Sequence, residues 1–135
     1  MRTFLDHNRM WEEPTITLDQ PSTSTGAFAH RGEWLSNNKV EASLKEHLAK
    51  WQPYISKNGL LVIELHTVAP EITAANIGKT PATAYDATHG FSDQYILEID
   101  VFQRIANEVG LEIDPHLFKK YPNTEYATVS INYLR

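Results

Sequence analysis

Cysteine is absent from all 135 residues. Disulfides, thiol nucleophiles and thiolate zinc sites are therefore excluded, and any metal site would have to be built from imidazole and oxygen ligands. Basic runs are equally missing. With 12 Lys and Arg against 17 Asp and Glu, net charge −5, the chain lacks the dense cationic surface that non-specific nucleic-acid binding needs. Long apolar runs are missing too. The longest, "GLLVIEL" at 59–65, is far too short to span a bilayer. The opening "MRTFLDHNRMW" is no signal peptide, because Asp6, His7 and Arg9 interrupt any apolar stretch. A cytoplasmic chain with neither nucleic acid nor membrane as partner is expected.

What is present suits one soluble domain over 1–135. Hydrophobic residues make up 41% and charged residues 21%, a globular rather than a disordered profile. Residues 12–37 form a long connection, broken by Pro14, Pro21 and Gly26 and carrying the turn-like "PSTST". "NKVEASLKEHLAKW" has Val40, Leu44, Leu48 and Trp51 at helical spacing. Asn38 and Glu41 have the form of a capping box, and Pro53 lies just past the expected end. "LLVIEL" is apolar on both faces, as in a strand covered on both sides. Between His66 and Gln94 only "PEITAAN" suggests a helical turn, and connections of that length are commonly functional. "DVFQRIANEVG" is a second helix, with Asp100 and Gln103 as a cap pair, a stripe of Phe102, Ile105, Ala106 and Val109, and Gly110 as its stop. "LEIDPHLFKKY" and "EYATVSINYL" close the chain as an antiparallel pair, turning at "YPNTE". Val129, Ile131 and Tyr133 alternate onto one face. The order of elements is α/β.

The succession of helix, "NGLLVIELH", long loop, "DVFQRIANEVGLEI" and terminal hairpin resembles the C-terminal half of a class I S-adenosylmethionine-dependent methyltransferase. The opening "RTFLDHNRMW" is similar to the segment after the fourth strand in methyltransferases of polyketide synthases and related pathways. The resemblance is most specific at "FLDHNR" and "THGFSDQY". It implies a partial Rossmann-like sheet, substrate-side, ending in an antiparallel hairpin and flanked by helices. It also implies S-adenosylmethionine as cofactor of the parent enzyme, and a polyketide-like acyl substrate, free or bound to a carrier protein. The departure is equally informative. The six glycines at 26, 32, 59, 78, 90 and 110 form no GxGxxG-like turn after a strand, the device that lets backbone approach a nucleotide. The cofactor half is expected to lie outside this sequence, and the chain alone is expected not to bind S-adenosylmethionine well. Its partner would be that N-terminal half or another copy of itself. The alternative is a non-catalytic interaction or oligomerisation module derived from the same fold.

In open α/β sheets the chemistry lies beyond the carboxyl ends of the strands. His66 directly follows "LLVIEL". Asp6 and His7 would follow the preceding strand at the same edge, and His89 and Gln94 lie in the loop that must fold over it. Asp6 and His7 are the candidate catalytic pair, with Asp6 orienting His7 as a base or helping to hold a metal. His66, His89 and Gln94 are the candidate ligands of a divalent metal such as iron, manganese or magnesium, which by analogy with polyketide-associated methyltransferases would grip a dicarbonyl. Each has a plainer alternative. His89 and Gln94 also suit a polar turn, and His66 suits a backbone hydrogen bond at a strand end. His47 is expected to be structural and His116 to lie on the surface. His30 is a candidate lid residue, and Trp11 and Trp34 could line a pocket.

Overall fold

Ser36 starts the longest helix, α1 (Asn37–Asn58), by accepting the Lys39 N–H on its hydroxyl at 3.3 Å. The computed structural model describes residues 2–80 and 82–135. Asn38 and Glu41 do not form the expected capping box. Asn38 accepts Ser22 N–H, and Glu41, fully buried, turns toward the preceding connection. Nor does Pro53 end the helix. It removes one donor, but Ile55 is buried one turn on. Gly59 then closes the helix at φ 68, its N–H bonded to Ile55 O at 2.7 Å.

Strand β4 (Leu60–Leu65) follows and lies at the centre of a four-stranded sheet. β1 (Arg2–Thr3) pairs with it in parallel on one side, and β6 (Val129–Leu134) pairs antiparallel on the other. β5 (Lys119–Tyr121) pairs antiparallel with the far side of β6. The architecture is mixed α/β, as expected, with one parallel junction. A second, two-stranded sheet, β2 (Phe28–His30) and β3 (Glu33–Leu35), lies inside the connection that carried no regular signal. Arg31 and Gly32 turn it with φ values of 50 and 84, the positive-φ pair of a two-residue hairpin.

Three short helices complete the fold. α2 (Pro70–Ala75) is the expected helical turn. α3 (Ala82–Phe91) replaces the expected loop around His89. Its segment "ATAYDATHGF" has few large apolar residues, so no helical stripe announced it. α4 (Ile99–Glu108) packs Val101, Phe102, Ile105 and Ala106 into the core against α1. The proposed cap pair of Asp100 and Gln103 does not form. Glu98 stands at the N-cap, its carbonyl accepting Phe102 N–H but its side chain making no cap bond, and the Gln103 amide reaches β6.

The closing strand alternates as expected, with Val129, Ile131 and Tyr133 on one face. Val129, Ile131 and Tyr133 are only half-buried, whereas Ser130, Asn132 and Leu134 are buried. Polar residues occupy the core face because they complete one hydrogen-bonded chain. Gln103 Nε2 donates to Asn132 Oδ1 at 2.9 Å, and Asn132 Nδ2 donates to Ser130 Oγ at 2.8 Å. The Ser130 hydroxyl then donates to His66 Nε2 at 2.6 Å, and His66 Nδ1–H donates to Leu97 O at 3.2 Å. From Gln103 to His66, each of these four side chains finds a partner, as a low-dielectric interior requires.

Candidate functional site

Because β1 and β4 are parallel, their carboxyl ends meet at one edge. Beyond β1 the chain turns at Phe4, φ 64, and aims three successive N–H groups at the buried Glu64 carboxylate. Leu5 and Asp6 donate to Oε2 at 2.7 Å each, and His7 donates to Oε1 at 3.0 Å. Burial and the nearby Asp6 carboxylate push Glu64 up to about 7, opposed by the backbone donors. Glu64 therefore fixes the loop that presents His7. It was not foreseen as a functional residue, although an acid inside an apolar strand is a signal in itself.

Asp6 is buried and pairs with Arg9 Nε at 2.8 Å, and Arg9 Nη1 reaches Ser43 Oγ at 2.7 Å. Asp6 thus ties its loop to α1. His47 donates from Nε2 to Leu5 O at 3.0 Å, the structural role expected of it, and burial followed by Arg9 lowers its pKa. His7 turns the other way. Its ring meets Phe4 at 4.7 Å and His89 at 4.6 Å between centroids, both edge-on. Its Nδ1 is buried with no hydrogen-bond partner among the described residues. Burial, then the neighbouring His89, lowers the His7 pKa, with Asp6 opposing. His7 is therefore a neutral imidazole at pH 7, able to take up a proton.

His89, 7% exposed, occupies the last turn of α3. Its carbonyl accepts both Ser92 N–H and Gln94 N–H at 3.0 Å. That turn folds Gln94 back, so that His89 and Gln94 line the same cavity of about 490 Å³. The cavity lies between β2, α2 and the end of α3. Phe28, Val68, Ile77 and Ile96 give it apolar walls, and Thr73 adds a buried hydroxyl without a partner among the described residues. A mostly apolar cleft of this size with a few convergent polar groups suits a small organic ligand.

His66 does not join them. Both of its ring nitrogens are engaged, by Leu97 O and Ser130, and burial pushes it down to about 4. It takes the plainer alternative, a strand-end hydrogen bonder, while His89 and Gln94 of the expected metal set line the cavity without it. Among the described residues no three His, Cys, Asp or Glu side chains gather as a metal centre. The residues do not fit a nucleotide cofactor by the usual glycine device either. Gly59 and Gly110 follow helices, Gly32 turns the β2–β3 hairpin, and Gly78 follows α2. Of the other candidates, His116 is exposed as expected, Trp34 is exposed at 78%, and Trp11 packs against the core.

The parallel strand junction thus has a histidine and carboxylates at its carboxyl edge, beside an apolar cleft. The model of the AprA MT2-like domain family matches residues 1–132. The chain belongs to that family and is a polyketide-synthase-associated methyltransferase-like domain. No curated protein matches it. For the parent enzyme the family implies S-adenosylmethionine as methyl source. Among the described residues no helix is long and apolar enough to cross a membrane.

Proposed function

We propose that this chain is the acceptor-binding part of a methyltransferase acting on a polyketide-like acyl group, inactive alone because the S-adenosylmethionine site is built elsewhere in the parent. The observation that carries this reading is the edge-on contact of His7 with His89 where an apolar cavity opens at the carboxyl edge of β1 and β4. The apolar walls hold the acyl chain and exclude water. The polar groups of His89 and Gln94 orient it. The neutral His7 imidazole takes the proton that the acceptor atom gives up. Glu64 and Asp6 position His7 through the loop that they hold.

The absence of a Gly-rich turn, and the strand order β1-β4-β6-β5 with a single parallel pair, support the view that a sheet half carrying the cofactor pairs beyond β1. A second reading, an interaction or oligomerisation module, draws on the outer sheet face, where Leu61, Ile63, Leu65, Val129, Ile131 and Tyr133 remain only half-buried. Calorimetry on the chain separates the two. The acceptor-side reading expects no measurable heat with S-adenosylmethionine, and binding of a short acyl thioester of N-acetylcysteamine that His89→Ala weakens roughly tenfold. Thioester binding indifferent to His89 would favour the module. Micromolar S-adenosylmethionine binding would overturn the placement of the cofactor site.

A further inference from the structure

The β2–β3 hairpin carries His30 to Tyr95, on the cavity wall, where the proposed function assigns no residue. Tyr95 is 7% exposed, and its ring is held edge-on by Trp11 at 5.7 Å, His30 at 5.9 Å and Phe28 at 6.2 Å. Its hydroxyl lies 2.8 Å from His30 Nδ1. The same nitrogen is 3.3 Å from Asp93 Oδ1. Asp93 is fixed in turn. Its backbone sits at φ 54, its carbonyl accepts Trp11 N–H at 2.8 Å, and its second oxygen meets Arg31 Nη2 at 3.4 Å. A phenol, an imidazole and a carboxylate thus share one nitrogen, and the phenol belongs to a residue that also lines the cavity.

The sharing has a chemical consequence. When His30 Nδ1 is bare, the Tyr95 hydroxyl donates to it, and only phenol lone pairs remain for a ligand. In the tautomer that carries Nδ1–H, the imidazole donates to Asp93 and to the phenol oxygen, and the Tyr95 O–H is free to donate into the cavity. Asp93, 3.3 Å from the same nitrogen, favours that tautomer. Burial first, and then Asp93, raise the Tyr95 pKa, which keeps the phenol protonated as this role requires.

We propose that Tyr95 is the hydrogen-bond donor to the carbonyl oxygen of a ligand in this cavity, and that His30, held by Asp93 with its proton on Nδ1, is the positioning residue that turns the Tyr95 hydroxyl proton toward the ligand. The inference rests on the reading that the cavity takes an acyl group. No covalent bond is made or broken. The phenol oxygen accepts from His30 while its own proton goes to the ligand.

The test titrates the full chain with 2-hexanone and with 2-methyl-1-hexene, in which a methylene replaces the oxygen, following amide shifts by NMR. The wild-type protein should bind both, and the ketone more tightly. Tyr95→Phe, which keeps the ring packing, should weaken the ketone roughly tenfold and leave the alkene unchanged. His30→Leu should weaken the ketone and leave the alkene unchanged, and His30→Asn, whose amide can donate to the phenol oxygen, should recover part of the loss. Equal effects of Tyr95→Phe on the two probes, or none, would overturn the donor role while leaving the cavity reading intact. Ketone binding indifferent to His30→Leu would overturn the coupling. Failure of the wild type to bind either probe would overturn the cavity reading, and this inference with it.

Discussion

His66 makes a measurable statement about acid stability. It is 1% exposed, and its tautomer is set by neighbours that need it neutral, Nδ1–H donating to Leu97 O and Nε2 accepting from the Ser130 hydroxyl. Protonation would set two donors against each other at 2.6 Å in a buried site. The displacement from 6.5 to about 4 corresponds to roughly 3 kcal/mol, at about 1.4 kcal/mol per pH unit. Because the folded-state pKa is depressed, this stability is present above pH 6.5. It is lost as pH falls toward 4, where the unfolded chain binds the proton first. Glu64 acts in the opposite sense. Raised to about 7, it contributes stability at low pH that is lost as pH rises through 7, so the two partly offset each other in the intact protein. The clean quantity is the difference between wild type and His66→Gln, measured by urea unfolding from pH 4 to 8. That difference should be constant above pH 7, then shrink by about 1.4 kcal/mol per unit between pH 6.5 and 4. Parallel stability curves would refute the claim that His66 is a buried neutral imidazole.

Two further outcomes follow from the fold. Gly59→Ala places a Cβ at φ 68 and 2.2 Å from Tyr133 Oη. It should destabilise by about 1–2 kcal/mol from the left-handed backbone alone, which a drop of several degrees in Tm would register; an unchanged Tm would mean that the α1–β4 junction is malleable. β1 pairs with β4 alone among the described residues, leaving an edge open to another strand, so sedimentation at high concentration should show self-association, and a monodisperse monomer would count against it.

Much of the core was legible because its residues obey a period. Leu44, Leu48, Phe102 and Ile105 recur at helical spacing and are fully buried, and "LLVIEL" is the strand it resembles. The convergence of His7 and His89 follows from topology, since strand direction sets His7 at one carboxyl edge and the connection carrying His89 must fold over that edge. What escaped was long-range polar satisfaction. Ser130 and Asn132 face inward because Gln103 and His66 meet them there, and period-2 hydropathy sees no such pairing. The hydrogen bonding of His66 escaped for the same reason, because its partner Ser130 lies 64 residues away. The Asn38 and Asp100 caps failed where Glu41 and Glu98 were recruited by a distant segment. α3 and the β2–β3 hairpin lie in stretches whose local pattern is too weak to declare them.

Residues 22–25 lie in no strand, yet they are held as firmly as one. Glu41 on α1 accepts Ser22 Oγ, Thr23 N–H and Ser24 N–H, and Glu98 before α4 accepts Ser24 Oγ and Thr25 N–H. Asn37 adds its amide to the carbonyls of Ser24 and Gly26. Two carboxylates thus substitute for a neighbouring strand, and directly beyond them, from Gly26 to Ala29, the same segment becomes the cavity wall. For protein engineering this divides one irregular stretch into two kinds of ground. The exposed positions 16, 17, 19 and 20 can take insertions, tags or a proline with little consequence. Between 22 and 25 a proline would remove a required donor, and a single inserted residue would shift every N–H past its carboxylate and carry the cavity wall with it.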